Sequence, residues 1–264
     1  MVFGAKNGKI AGAEYIRFGN GMRNLIMLPG LGDGLKTVGG TAMPMAFLYR
    51  MFAKDFTVYM FSRKADLPEG HTTRDMARDL KDAMDALGIE MADILGVSMG
   101  GMIAQWLAID YPERVGKLIL TVTVAKHNET LEESIHEWMD LAASGDHAAF
   151  MDSNLCRIYS ERYYRQNKWI LPLLGALTKP KSYTRFLTLA AACLGHDAFG
   201  ELHRIQAPTF VIGGGQDRAI GPDAASELAE NIPGAELRIY PQWGHGLYKE
   251  AKDFNDIVLK FLRA

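Results

Sequence analysis

Short apolar runs along the chain alternate with stretches in which apolar residues return every three or four positions, as expected of strands separated by amphipathic helices. Residues 13–18 alternate as an outer strand, and Gly19-Asn20-Gly21 turns the chain. Residues 25–28 form an apolar strand that Pro29-Gly30-Leu31-Gly32-Asp33-Gly34 ends abruptly. Residues 45–52 read as a helix, and 56–61 as a strand rich in aromatic and β-branched residues. After a polar loop at Pro68-Glu69-Gly70, Thr73 is the expected cap of a helix. That helix keeps Met76, Leu80, Ala83, Met84 and Leu87 on one face, carries Asp75 in its first turn and ends at Gly88. Residues 94–97 read as a buried strand, with Met99, Met102, Ile103, Trp106 and Leu107 at helical spacing directly behind it. Residues 115–124 carry almost no charge, as strands covered on both faces do.

The strand rhythm stops near Ala125. Thr130-Leu131-Glu132-Glu133 reads as a capping box, and from there to His203 only helical stripes follow. Strands resume at 209–212 and 235–240, with a helix near 223–230 between them. A last helix carries Phe254, Ile257, Val258 and Phe261. Parallel strands need crossover connections, so the expected fold class is α/β, a mostly parallel central sheet with helices on both faces. Residues 1–124 and 205–264 are the expected core, and 125–204 an all-helical cap insert.

Composition narrows the function. Across 264 residues, 48% hydrophobic and 23% charged residues are globular averages, and the formal charge of −2 offers no basic field for nucleic acid. Cys156 and Cys193 lack metal or disulfide spacing, which points to a reducing compartment. With no signal-like leader and no long apolar run, a cytoplasmic protein without a membrane span is expected. The histidines show no His-x-x-x-His spacing, and Gly30-Leu31-Gly32-Asp33-Gly34 misses the dinucleotide pattern because Leu35 stands where glycine is needed. Neither a metal nor a cofactor is expected.

The candidate chemistry centres on Gly96-Val97-Ser98-Met99-Gly100. A sharp strand-to-helix turn strains the serine backbone and brings neighbouring chain close, so small residues are needed two positions either side. Such a turn lifts Ser98 clear of the sheet and leaves the amide of Met99, at a helix start, free for a negatively charged oxygen. A serine hydroxyl is a weak nucleophile near neutral pH and needs a base, which in turn needs an orienting carboxylate. Asp217, after the strand at 209–212, and His245, in Gly244-His245-Gly246 after the next strand, stand where those partners belong.

Taken together, Pro29-Gly30-Leu31-Gly32, Gly96-Val97-Ser98-Met99-Gly100-Gly101, Tyr111-Pro112-Glu113-Arg114-Val115, Gly215-Gln216-Asp217 with Pro222, and Gly244-His245-Gly246 make the chain resemble the α/β-hydrolase family over nearly its whole length. Small capped esterases and lactonases, including enol-lactonase-like and haloperoxidase-like members, are nearest in pattern. The resemblance implies a Ser98-His245-Asp217 triad, with Leu31 giving the second oxyanion amide beside Met99. Two departures stand out. Pro29 occupies a position where many members carry histidine, and Ser62-Arg63-Lys64 replaces a frequent Asp-x-x-Gly continuation. The expected reaction is hydrolysis of a small-molecule ester or lactone through an acyl-enzyme. A serine-dependent carbon-carbon bond hydrolase is the alternative within enzymes, and a non-catalytic binding or signalling module is the alternative from another class.

Overall fold

The computed structural model describes residues 2–170 and 179–264. Eight strands form one sheet: β1 (Lys6–Ile10), β2 (Ala13–Phe18), β3 (Arg23–Leu28), β4 (Phe56–Lys64), β5 (Ala92–Val97), β6 (Val115–Thr121), β7 (Thr209–Gly214) and β8 (Glu236–Tyr240). Their order is β1-β2-β4-β3-β5-β6-β7-β8. Only the β1–β2 and β2–β4 pairings are antiparallel; from β4 to β8 the sheet is parallel. The central strands are apolar and buried along most of their length, as a sheet covered on both faces requires.

Helices α1 (Ala42–Leu48), α2 (Thr73–Ala86) and α3 (Met99–Asp110) link the early strands. Between β6 and β7 lie the cap helices α4 (Glu129–Ser144), α5 (His147–Ile158), α6 (Glu161–Asn167) and α7 (Thr184–Leu194). Helix α8 (Ala224–Asn231) joins β7 to β8, and α9 (Leu247–Glu250) and α10 (Phe254–Arg263) end the chain. The expected helical cap is therefore present, although the part of it at 171–178 lies outside the described residues. Among the described residues, no helix is long and apolar enough to cross a membrane.

Several local expectations are corrected. Thr72, not Thr73, caps α2: its hydroxyl accepts from the Asp75 amide while the Asp75 carboxylate accepts from the Thr72 amide. Thr73 turns inward instead, and its hydroxyl bonds His196 Nδ1 at 2.9 Å. Asn128 caps α4 by accepting from the Leu131 amide at 2.9 Å, so Thr130 lies inside the helix. The helix expected at 45–52 runs instead over Ala42–Leu48. Strand β6 stops at Thr121 because Val122 takes a positive φ of 45°, which breaks the ladder.

Candidate active site

Four loops at the carboxyl ends of parallel strands build the site, where ligands collect in open α/β sheets. After β5, Ser98 adopts φ 55° and ψ −122°, the strained turn that the glycine spacing predicts. A side chain at Gly96 would come within 2.6 Å of the Gly100 carbonyl oxygen, and one at Gly100 within 2.1 Å of the Leu28 carbonyl oxygen. Both positions therefore exclude anything larger than glycine. Met99 opens α3, so its amide has no acceptor within the helix. After β3, Leu31 opens a short 3-10 turn over Leu31–Gly34. The two loops touch, since a Cβ built on Gly30 would lie 3.2 Å from Ser98 Cβ.

Asp217 follows β7 and His245 follows β8. Their loops are locked together by the Gln216 amide donating to the Trp243 carbonyl at 3.0 Å. His245 Nδ1 and Asp217 Oδ2 are 2.8 Å apart and both side chains are buried. The other carboxylate oxygen, Oδ1, accepts the amides of Ala219 at 2.9 Å and Ile220 at 3.1 Å. Every Asp217 acceptor facing the imidazole or its own turn is thus occupied. A carboxylate on Nδ1 requires the proton there, which leaves Nε2 with its lone pair.

Ser98, Leu31 and His245 line one cavity of about 520 Å³, to which the cap contributes Trp138, Tyr159 and Phe186. Asp217 is bonded to the cavity-lining His245, and Met99 directly follows the cavity-lining Ser98. Among the described residues, no hydrogen bond joins Ser98 Oγ to His245 or to any other side chain; both residues line the same cavity. Of the cap's aromatic residues, Trp138 and Tyr159 reach the cavity, whereas Trp169 is exposed. Met27, Met45 and Met60 line it as well.

Sequence reasoning overlooked the cavity's charges. Lys36 and Lys249 line it, and neither has a carboxylate within ion-pair distance among the described residues. Lys249 Nζ donates to the Tyr159 hydroxyl at 2.7 Å. Burial raises the Tyr49 and Tyr248 phenols above their ordinary range, so both stay protonated donors at neutral pH. Lys249 lies four residues past His245, within the single helical turn Leu247–Glu250 that follows it, which is a spacing signal that could have marked it.

The sequence profile of the alpha/beta hydrolase fold family matches residues 24–252. The chain belongs to that family. It is 31% identical over 228 residues to the 2-hydroxy-6-oxo-6-phenylhexa-2,4-dienoate hydrolase of Comamonas testosteroni, covering 81% of this chain and 77% of that protein. It is 30% identical over 193 residues to a 2-hydroxy-6-oxononadienedioate/2-hydroxy-6-oxononatrienedioate hydrolase of a Pseudomonas species, covering 70% and 68%. Among solved structures, the enol-lactonase of Burkholderia xenovorans LB400 superposes with a TM-score of 0.80 at 23% identity, covering 98% of this chain and 100% of that one. This member of the family is a catalytic enzyme of the hydrolase fold; its relatives at 30–31% identity are named as 2-hydroxy-6-oxo acid hydrolases, and the lactonase shares its fold.

Proposed function

We propose that the protein is a serine hydrolase that cleaves the carbon-carbon bond beside a ketone in a carboxylate-bearing 2-hydroxy-6-oxo-diene acid. The observation that carries this reading is the meeting, in one cavity, of Ser98, an Asp217-oriented His245 and two lysines without acidic partners. Lys36 and Lys249 supply the positive potential that a substrate carboxylate needs. The substrates named for the relatives at 30–31% identity carry such a carboxylate, which moves this reading ahead of the ester or lactone expected from sequence.

In this reading His245 Nε2 takes the Ser98 proton while Oγ bonds to the ketone carbon, and the Leu31 and Met99 amides hold the oxyanion. Collapse breaks the adjacent carbon-carbon bond. The departing acid must first be in its 2-oxo tautomer, formed by moving the 2-hydroxyl proton to the carbon beside the ketone. That carbon is then tetrahedral, so its electron pair passes through the neighbouring double bond to the 2-oxygen, which His245 reprotonates. Water, deprotonated by His245, then attacks the acyl-Ser98 ester and releases the second acid, and Ser98 recovers its proton. Asp217 holds the tautomer and stabilises the imidazolium.

Ester or lactone hydrolysis is the second reading, favoured by the apolar share of the lining from Met27, Met45, Met60 and Trp138. Comparing kcat/KM for 2-hydroxy-6-oxo-6-phenylhexa-2,4-dienoate with that for p-nitrophenyl butyrate and a simple lactone decides between them. Preference for the dienoate by about 100-fold or more is expected, a ratio that a site built around a charged group can reach. The reverse order assigns the enzyme to esters.

A further inference from the structure

The loop that carries the Leu31 amide consists of Pro29, Gly30, Leu31, Gly32, Asp33 and Gly34, and its glycines cannot hold a conformation by themselves. What fixes it is a buried charge cluster that the triad does not use. Arg63, at the end of β4, sends its guanidinium to the carbonyl oxygens of Pro29 and, at 3.4 Å, Gly30. The Asp33 amide donates to the same Gly30 carbonyl at 3.1 Å. That carbonyl and the Leu31 N–H are opposite ends of one planar peptide unit, so pinning the oxygen aims the hydrogen.

The brace continues into the cap. The Asp33 carboxylate accepts the Arg63 amide at 3.0 Å and the Arg185 guanidinium at 2.5 Å. Arg185, on α7, also donates to the carbonyls of Asp33, of Arg63 at 2.9 Å and of Lys64 at 3.1 Å. Two arginines around one aspartate leave a buried net positive charge beneath the loop. Burial pulls the Arg63 guanidinium below its ordinary value; Asp33 opposes this and Arg185 adds to it. Burying such a group is costly, and apolar packing of similar volume would commonly be as stable. Loop geometry is what the cluster provides that apolar packing cannot.

We infer that Arg63 is a positioning residue that aims the Leu31 amide at the oxyanion, and that Arg185 completes the brace only while α7 is seated on the core. This rests on the reading above, in which Leu31 is an oxyanion donor. Seating of the cap and assembly of the oxyanion hole then become one event.

The test uses Arg63→Gln, Arg63→Lys and Arg185→Gln in the full chain. The readouts are kcat and KM on p-nitrophenyl acetate, affinity for benzeneboronic acid as a tetrahedral mimic, and affinity for benzoate as a planar one. Arg63→Gln is expected to lower kcat by about 10- to 100-fold and to weaken boronate binding in parallel, with KM and benzoate affinity nearly unchanged. Arg63→Lys recovers part of the loss, because an ammonium reaches one carbonyl but lacks the planar fork. Arg185→Gln shifts the same two readouts in the same direction. Its side chain is 15% exposed, so it serves as the deciding variant if Arg63→Gln does not fold. Folded variants whose kcat is unchanged, or that lose boronate and benzoate affinity equally, overturn the inference. If Ser98→Ala matches the wild type in ester turnover and boronate binding, the serine-hydrolase reading fails first, and the inference with it.

Discussion

His245 Nδ1 lies 2.8 Å from Asp217 Oδ2, and the carboxylate's second oxygen is held by two backbone amides of its own turn. That arrangement fixes the imidazole's tautomer without leaving Asp217 free to rotate. Asp217→Asn keeps the shape but offers an amide that favours the other tautomer. A fall in kcat of about 10⁴-fold with little change in thermal midpoint is expected, measured by steady-state kinetics beside a melting curve. A drop below tenfold would remove Asp217 from the orienting role.

Lys249 and Lys36 line the cavity, and among the described residues neither pairs with a carboxylate. Lys249→Met should raise KM for a carboxylate-bearing dienoate by about tenfold while leaving KM for p-nitrophenyl acetate within twofold, the value of one charge-assisted contact. Lys36→Met tests the second cation in the same assay. Equal effects on charged and neutral substrates would mean that the lysines shape the cavity and do not read charge.

The loop that carries His245 is clamped to the cap. The Gly246 amide donates to the Ile158 carbonyl at 2.6 Å, and a Cβ at Gly246 would lie 2.7 Å from the Tyr159 ring. Gly246→Ala should therefore cost about 1–3 kcal/mol of stability and displace Tyr159, raising KM more than it lowers kcat. Denaturant unfolding and kinetics on the same preparation check both parts.

His196 sits fully buried between Thr73 and Trp106, with burial lowering its pKa to about 4, against the milder opposite pull of Asp197 and a bond to the Val124 backbone. Unfolded histidine titrates near 6.5, so between about pH 6.5 and 4 the unfolded chain binds the extra proton. Stability contributed by neutral His196 is complete above pH 6.5 and is lost as pH falls, by up to about 3 kcal/mol near pH 4. Urea midpoints at pH 7.5 and 5 should differ, and His196→Asn should flatten that slope.

The parallel core and the elbow were legible because their signals are local: apolar runs of strand length, and glycines whose absent side chains Gly100 and Leu28 would otherwise meet. Strand β1 escaped notice because Lys6, Asn7, Gly8 and Lys9 form a polar edge strand with most of its side chains in solvent. The caps at Thr72 and Asn128 were missed by one or two residues, since adjacent hydroxyl and amide residues compete for the same role. Arg63 was visible as a charge ending an apolar strand, yet its meaning lay in long-range topology. Only the β3–β4 parallel pairing puts its guanidinium under the Pro29 and Gly30 carbonyls.

The central claim is that Ser98 is a nucleophile activated by His245, and covalent capture tests it most directly. Wild-type protein, Ser98→Ala and His245→Ala would be treated with an aryl fluorophosphonate and followed by intact mass and peptide mapping. A single adduct on Ser98 in the wild type is predicted, absent in Ser98→Ala and slowed by about 10³-fold or more in His245→Ala. An unlabelled wild type, or an adduct that persists in Ser98→Ala, would contradict the account.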